Sequence, residues 1–374
     1  MSKPKVIIGL SGGVDSSVGV IKLLELGYDV EAIFMRNWDS AVNNDVMGNP
    51  DLMEDVCPQE KDYQDAKDVA NKLGIKLHRV DFIEEYWNEV FTYFLNEYKL
   101  HRTPNPDILC NKEIKFKCFL KKAEEMGADY IAMGHYARVI HDGDNHYLLR
   151  GVDNNKDQTY FLCQLSREQI SKALFPIGDL EKKDVRRIAE EYELSVAKKK
   201  DSTGVCFIGE RNFKEFLQNY LPAQPGNMVT SDGKIVGKHD GLMYYTIGQR
   251  HGLGIGGPGD AWFVVGKDSA KNELIVGQGD EQELLFANRC IIRGINIINA
   301  PLVSTDTLTA KFRYRQQDVR VTAKYIDEDT IEVKTFEPVK ALTPGQACVF
   351  YDGEYCLGGG TIDEVYMDNV RRKY

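Results

Sequence analysis

The chain has 374 residues, 43% of them hydrophobic and 28% charged, with a formal net charge of −10. That length predicts two or three domains, and no apolar run approaches the roughly 18 residues a membrane span requires. As a whole-molecule average the acidic balance argues against phosphate-rich partners, although basic clusters occur at Lys112, Lys115, Lys117, Lys121 and Lys122, at Lys182, Lys183, Arg186 and Arg187, and at Lys198, Lys199 and Lys200.

Five residues precede the first apolar run, too few for a signal or transit peptide, so the expected compartment is the cytoplasm. Residues 6–10 (Val-Ile-Ile-Gly-Leu) read as a strand buried on both faces. A glycine loop follows, then a helix over Ser16–Leu26 closed by Gly27. Next come a strand at Val30–Met35 and a helix over Pro58–Leu73, with proline in its first turn and Gly74 at its end. A strand at Lys76–Val80, an aromatic-rich helix from about Glu84 to Lys99, a helix from about Lys112 to Met126 and a strand at Tyr130–Met133 complete the series. Alternating strands and helices predict an α/β fold: a Rossmann-like parallel sheet with helices on both faces. Ligands of such sheets sit at the carboxyl ends of the strands. After about residue 210 the pattern changes. A short helix at about Asn212–Tyr220 leads to Pro222, Pro225 and Gly226, and glycine-rich short strands fill 226–280. Alternating segments at Leu308–Arg315, Val319–Ile326, Thr330–Thr335, Gln346–Tyr351 and Glu354–Ile362, with a hairpin turn at Asp352-Gly353, predict a small barrel. The expected domains are 1–210 (catalytic), 211–280 (a central β-rich linker domain) and 281–374 (a C-terminal β-barrel).

The sharpest motif is Ser11-Gly12-Gly13-Val14-Asp15-Ser16-Ser17, between the first strand and the first helix. Its glycines let backbone N–H groups approach an anion, and the helix N-terminus adds its positive end. Asp15 is a candidate helix cap or Mg²⁺ ligand. The loop lacks the lysine of G-x-x-x-x-G-K-[ST]. It resembles the SGGxDS loop of the ATP pyrophosphatase superfamily, which splits ATP between the α and β phosphates. Gly252, Gly254 and Gly257 formally match G-x-G-x-x-G, but no helical pattern follows and Pro258-Gly259 breaks the chain, so no dinucleotide site is expected there.

Cysteines occur at 57, 110, 118, 163, 206, 290, 348 and 356. None forms a C-x-x-C pair, so no zinc knuckle is expected, and a reducing cytosol argues against structural disulfides. Cys110 follows the stiff loop Thr103-Pro104-Asn105-Pro106-Asp107 and is expected at a helix start, near Lys112 and Lys115, a setting that lowers a thiol's pKa. Asp107 is a candidate general acid or base. Cys206 follows Lys198–Lys200 and the turn formers Asp201-Ser202-Thr203-Gly204, and those lysines are expected to stabilise a thiolate or persulfide. For each, a small buried core cysteine is the competing reading. The other six read as core or incidental.

In order, Ser-Gly-Gly-Val-Asp-Ser (11–16), Asn-Pro-Asp-Ile-Leu-Cys-Asn (105–111), Met-Gly-His-Tyr (133–136), Lys-Asp-Gln-Thr-Tyr-Phe (156–161) and Asp-Ser-Thr-Gly-Val-Cys-Phe-Ile-Gly (201–209) resemble the MnmA family of bacterial tRNA-specific 2-thiouridylases, over nearly the whole chain. The resemblance implies ATP-dependent 2-thiolation of the wobble uridine, U34, of tRNA. It implies an adenylated base and a cysteine persulfide, with AMP and pyrophosphate released. It also implies that ATP, with Mg²⁺, is held by Gly9, Leu10, Ser11, Gly12, Gly13, Val14, Asp15 and Ser16 and bordered by Met35 and Gly134. Asn105, Pro106 and Asp107 would meet the target base; His135, Lys156, Asp157, Gln158, Arg313, Tyr314 and Gln346 would meet tRNA. Cys206 would carry the persulfide. Cys110 would resolve it, ending in a Cys110–Cys206 disulfide, or would first free sulfide that then attacks. The implied partners are tRNAs for lysine, glutamate and glutamine and a cysteine desulfurase or sulfur-relay protein; neither a membrane nor a dedicated protein metal site is expected. Two readings compete. A synthetase that adenylates a small metabolite would tolerate loss of Cys110 or Cys206, and a non-catalytic nucleotide- or RNA-binding module would bind ATP without releasing pyrophosphate.

Overall fold

The computed structural model describes residues 3–50, 58–201, 204–206, 208–209, 211–279, 282–299, 301–303 and 305–374; Cys57, Ser202, Thr203 and Phe207 lie outside these. The chain opens with β1 (Lys5–Gly9), α1 (Val14–Glu25), β2 (Asp29–Arg36), α2 (Pro58–Leu73) and β3 (Lys76–Asp81). Then α3 (Ile83–Tyr86) and α4 (Thr92–Lys99) are joined by a π-helical turn, Trp87–Phe91. A longer π-helical stretch, Cys110–Cys118, joins α5 (Pro106–Leu109) to α6 (Phe119–Glu125). After β4 (Tyr130–Ala132) come a hairpin, β5 (Ala137–Asp142) and β6 (Asn145–Arg150), then α7 (Arg167–Ser171), β7 (Ala173–Leu174) and α8 (Lys182–Glu191). The first sheet runs β3-β2-β1-β4-β7 and all its pairings are parallel. Its alternating side chains explain the near-continuous apolar strands. Ile7, Ile33, Met35 and Ile131 enter one core, with Cys110 and Ile114. Val6, Ile8, Ala32 and Phe34 enter the opposite core, with Val18, Val69 and Val185.

Two local expectations need correction. Cys110 is not at a helix start: Pro106 takes the first position, with Asn105 as the N-cap, so the thiol lies one turn inside. Proline's fixed φ suits that first position, which moves the start upstream of the lysine run. The hairpin β5–β6 and the two-residue β7 had no periodic signal long enough to predict them.

After α9 (Phe213–Gln218), a four-stranded sheet orders β8 (Gly226–Val229), β9 (Ile235–His239), β10 (Trp262–Asp268) and β11 (Glu273–Gln278) as β10-β11-β8-β9. The last strands are β12 (Phe286–Ile297), β13 (Leu308–Lys311), β14 (Val319–Tyr325), β15 (Thr330–Lys340), β16 (Ala347–Asp352), β17 (Tyr355–Met367) and β18 (Val370–Arg371). They run β12-β15-β14-β13-β16-β17 and close through β17 on β12, forming a barrel filled by Cys290, Ile292, Ala310, Val333, Cys348 and Phe350. The β5–β6 hairpin extends this sheet, with Leu149 opposite Tyr355. The Arg150 guanidinium lies 3.7 Å over the Tyr351 ring and pairs with Asp318 at 2.6 Å, which anchors the hairpin to the barrel. Among the described residues no helix is long and apolar enough to cross a membrane.

Candidate active site

The loop between β1 and α1 is shaped by close packing. Gly12 has φ +74°, and a Cβ there would lie 2.2 Å from the Asp62 carbonyl oxygen. Gly134, just past β4, leaves room for no side chain: its Cβ would stand 2.8 Å from the Ser16 nitrogen. At Gly9 a Cβ would meet Met133 Sδ at 2.7 Å and Met35 Cε at 3.1 Å. Ser11 N–H donates to Ser16 Oγ at 3.2 Å, and the Ser16 and Ser17 hydroxyls donate to the Gly13 carbonyl at 3.2 and 2.7 Å. Leu10 and Val14 are buried beneath the loop. Gly9–Ser16, Met35 and Gly134 therefore form one closely packed layer at the carboxyl ends of β1, β2 and β4, where ligands of such sheets bind.

Charged groups collect on the rim of this loop. Lys182, the first residue of α8, pairs with Asp15 at 2.8 Å and with Asp201 at 2.8 Å. Lys156 and Arg186 reach the same Asp201 at 2.7 and 2.9 Å. Burial opposes the charge on Asp201, but hydrogen bonds from Lys156 and Lys182 pull its carboxyl down to about 2. Lys199 donates to the Gly12 carbonyl at 3.0 Å and to Asp62 and Asp65 at 2.6 and 2.5 Å. Lys182 and Arg186 of one basic cluster and Lys199 of another thus converge on the β1–α1 loop. Among the described residues no three His, Cys, Asp or Glu side chains converge as a metal site; the loop's own carboxylate, Asp15, accepts from Lys182 and from the Tyr136 hydroxyl at 2.8 Å.

The two thiols meet. Cys110 Sγ stands 3.5 Å from Cys206 Sγ, donating to it, with both cysteines free. A disulfide needs about 2.05 Å, so closure requires a shift of little more than an ångström. Cys206 sits at the tip of a tight turn closed by the Val205–Gly209 bridge. Its backbone N–H donates to Asp107 at 3.2 Å, and its carbonyl accepts the Tyr86 hydroxyl at 2.8 Å. The Cys110 hydrogen bond and then the Lys115 ammonium hold the Cys206 thiol below the usual range despite burial. Burial, followed by the Cys206 contact, pushes Cys110 well above it. The sequence expectation for Cys110 is therefore reversed: away from the helix end and enclosed, it remains a thiol that donates to its partner. The cation that serves Cys206 is also not the one expected. Lys115 hydrogen-bonds its sulfur, while Lys199 is engaged by Asp62 and Asp65, and Lys112 turns to Gln164 at 3.4 Å. Burial raises the Asp107 carboxyl above the usual carboxylate range, with Lys115 and the Cys206 N–H opposing.

The residues expected to meet tRNA separate into groups. Asn105, Pro106 and Asp107 lead directly into the Cys110 helix. His135 is buried between Phe116 and Phe175, each ring 6.0 Å away, and burial, then Lys115, keeps it neutral. Asp157 is buried and accepts from Gly151 N–H and the Thr159 hydroxyl; Gln158 accepts from Tyr136 N–H at 2.9 Å. Arg313 donates to the Ile247 and Ala341 carbonyls and the Thr343 hydroxyl at 2.8, 3.0 and 2.7 Å. Gln346 donates to the Thr103 carbonyl at 2.7 Å. Tyr314 is half-buried, its ring 4.4 Å from Phe161. Asp157, Gln158, Arg313 and Gln346 thus each commit at least one polar atom to partners inside the molecule. Sequence reasoning did not single out Tyr86, Tyr136 or Asp201; Tyr136 closes the Met-Gly-His-Tyr motif and Asp201 opens Asp-Ser-Thr-Gly-Val-Cys, whereas nothing marked Tyr86.

Three family models match the chain: a tRNA methyl transferase HUP domain over residues 4–210, a tRNA methyl transferase PRC-barrel domain over 214–278 and an aminomethyltransferase beta-barrel domain over 288–362. Among curated relatives, the tRNA-specific 2-thiouridylase MnmA of Acholeplasma laidlawii is 58% identical over 375 residues, covering 100% of both chains. That of Listeria monocytogenes (strain EGD-e) is 58% identical over 371 residues, covering 99% of this chain and 97% of the relative. That of Bacillus cereus is 56% identical over 371 residues, with the same coverage of 99% and 97%.

Proposed function

Because the chain belongs to the MnmA family of tRNA-specific 2-thiouridylases, we propose that it is a cytoplasmic tRNA-uridine 2-sulfurtransferase that uses ATP to replace the C2 oxygen of U34 with sulfur. The observation that carries the reading is the 3.5 Å approach of two sulfurs from residues 110 and 206. They sit against the same face of the parallel sheet as Met35, whose methyl borders Gly9 of the phosphate loop.

The uridine leaves its stack to enter the site, at an unstacking cost of a few kcal/mol. Asn105–Asp107 receive it. Its C2 oxygen attacks the α phosphate, and pyrophosphate departs against the loop amides. Asp15 is the loop carboxylate that would hold a Mg²⁺ brought with the nucleotide, which would supply neutralisation of phosphate charge. Asp107, as its carboxylate, takes the N3 proton while the oxygen attacks and returns it when the thiocarbonyl forms. A cysteine desulfurase or relay protein loads Cys206 as a persulfide. The terminal sulfur attacks C2 and AMP leaves. The Cys110 sulfur, losing its proton, then attacks Cys206 Sγ. The S–S bond to the base breaks, the thiocarbonyl keeps the electron pair, and a Cys110–Cys206 disulfide remains for an external reductant. Release of sulfide by Cys110 before the attack uses the same two thiols and the same electrons. The expected substrates are the tRNAs for lysine, glutamate and glutamine.

Nucleoside mass spectrometry of tRNA from cells lacking the gene tests the reading. Loss of 2-thiouridine, restored by the wild-type gene but not by Cys206→Ser, is expected. Unchanged 2-thiouridine in the deletion contradicts it.

A further inference from the structure

The phosphate loop has glycines and hydroxyls but no lysine between Ser11 and Ser17. Cleavage between the α and β phosphates builds charge on pyrophosphate, and that charge needs a cation held in place beforehand. Lys182 comes from 167 residues downstream, and its ammonium lies 2.8 and 2.9 Å from the two Asp15 carboxylate oxygens. The Tyr136 hydroxyl donates to the same carboxylate at 2.8 Å, and the Tyr136 ring centre is 5.9 Å from the ammonium. Lys156, Lys182 and Arg186 share Asp15 and Asp201, and a third carboxylate, Asp153, accepts the Lys182 backbone N–H at 3.0 Å, so three cations face three carboxylates. Lys199 differs: it braces the Gly12 carbonyl, and two carboxylates, Asp62 and Asp65, already match its charge. Lys182 alone of these cations is paired with a side chain of the loop itself. With its side chain 13% exposed, it is sheltered enough for an ion contact to be strong.

We propose that Lys182 is a further catalytic residue, the ammonium that exchanges Asp15 for the β-phosphate and neutralises pyrophosphate as it leaves. The proposal rests on the nucleotide reading of the loop given above. The bond that forms joins the uridine oxygen to the α phosphorus; the bond that breaks joins that phosphorus to the bridging oxygen, which keeps the electron pair. Lys182 keeps its proton throughout.

Calorimetric titration of the full-length protein with ATP, inorganic pyrophosphate and AMP tests this in wild type, Lys182→Gln, Lys182→Arg and Asp201→Asn. Lys182→Gln should weaken ATP and pyrophosphate about ten- to a hundredfold, the worth of one hydrogen-bonded ion contact, and leave AMP unchanged. Lys182→Arg should recover most of the loss. Asp201→Asn frees Lys182 from one carboxylate and should tighten ATP relative to wild type. If Lys182→Gln does not fold, the arginine and Asp201→Asn variants carry the test. A mere strut predicts that Asp201→Asn loses ATP and AMP together; that outcome, or undiminished ATP binding by Lys182→Gln beside a binding wild type, overturns the proposal. A wild type that binds no ATP overturns the nucleotide reading and this proposal with it.

Discussion

Cys110 and Cys206 carry the same functional group, 3.5 Å apart, and differ in what faces them. Cys206 receives an S–H from its partner and a hydrogen bond from Lys115; Cys110 is wholly enclosed. A thiolate is the nucleophile and a thiol is not, so the donated S–H, with Lys115 behind it, favours the thiolate at Cys206, while burial keeps Cys110 a thiol. Replacing Lys115 with methionine should slow alkylation of Cys206 at neutral pH by roughly tenfold and move its pH profile upward, while Lys115→Arg preserves much of the rate. Mass-mapped iodoacetamide labelling over a pH series checks this. Equal labelling of the two cysteines in wild type would remove the basis for their different roles. The phosphate loop and both cysteines were legible in the sequence because each sits in a motif whose residues act within a few positions. Which lysine serves which sulfur was not, since that contact joins residues 115 and 206 through the fold. Nor did the sequence reveal that Gln346 and Arg313 donate to carbonyls of other domains.

The helix that carries Cys110 depends on its register. Over Cys110–Cys118 the helix is π-helical, and i→i+5 spacing sets Lys115 over Cys110. In an α-helix five residues are about 140° round the axis, which would turn the ammonium away. Periodicity reading predicts a helix across this stretch but does not distinguish the two registers. At the end of β4, Gly134 faces Ser16 so closely that Gly134→Ala should cost about 1–3 kcal/mol by overpacking and abolish ATP binding, as read by thermal melts with and without nucleotide. In the central sheet, β10 buries Lys267, whose ammonium donates to the His101 carbonyl at 2.6 Å. Burial lowers its pKa to about 7. The unfolded lysine titrates near 10.4, so between about 7 and 10.4 the unfolded chain binds more protons and stability rises with pH. Lys267→Met should flatten that rise in a melting-temperature series from neutral to alkaline pH; an unchanged slope would show that Lys267 does not titrate in the folded protein.

Across the whole molecule, residues 101–104 are a strap gripped from two sides. The central domain holds it through Lys267 at the His101 carbonyl and through the Thr246 hydroxyl, 3.2 Å from that of Thr103. The barrel holds it through Asp363 on Arg102, the Pro344 carbonyl accepting Thr103 N–H at 3.1 Å, and Gln346. That strap continues into Asn105–Asp107 and Cys110, so the barrel and central domain set the position of the loop that leads to the Cys110 thiol. Arg313→Ala strips a donor from two carbonyls at the central–barrel joint and should cost about 1–3 kcal/mol. It should reduce thiolation more than ATP binding, which a comparison of turnover with nucleotide affinity reads. The three-domain order was readable from the change in pattern near residue 210, whereas this strap was not, because its hydrogen bonds run to backbone groups that any sequence supplies. The account turns on Cys206 as the sulfur carrier. Its most direct test is peptide mass spectrometry of the Cys110→Ser protein after reaction with a persulfide donor. The account predicts one added sulfur on the peptide that contains Cys206. An added sulfur confined to another cysteine, with Cys206 unmodified, would contradict it.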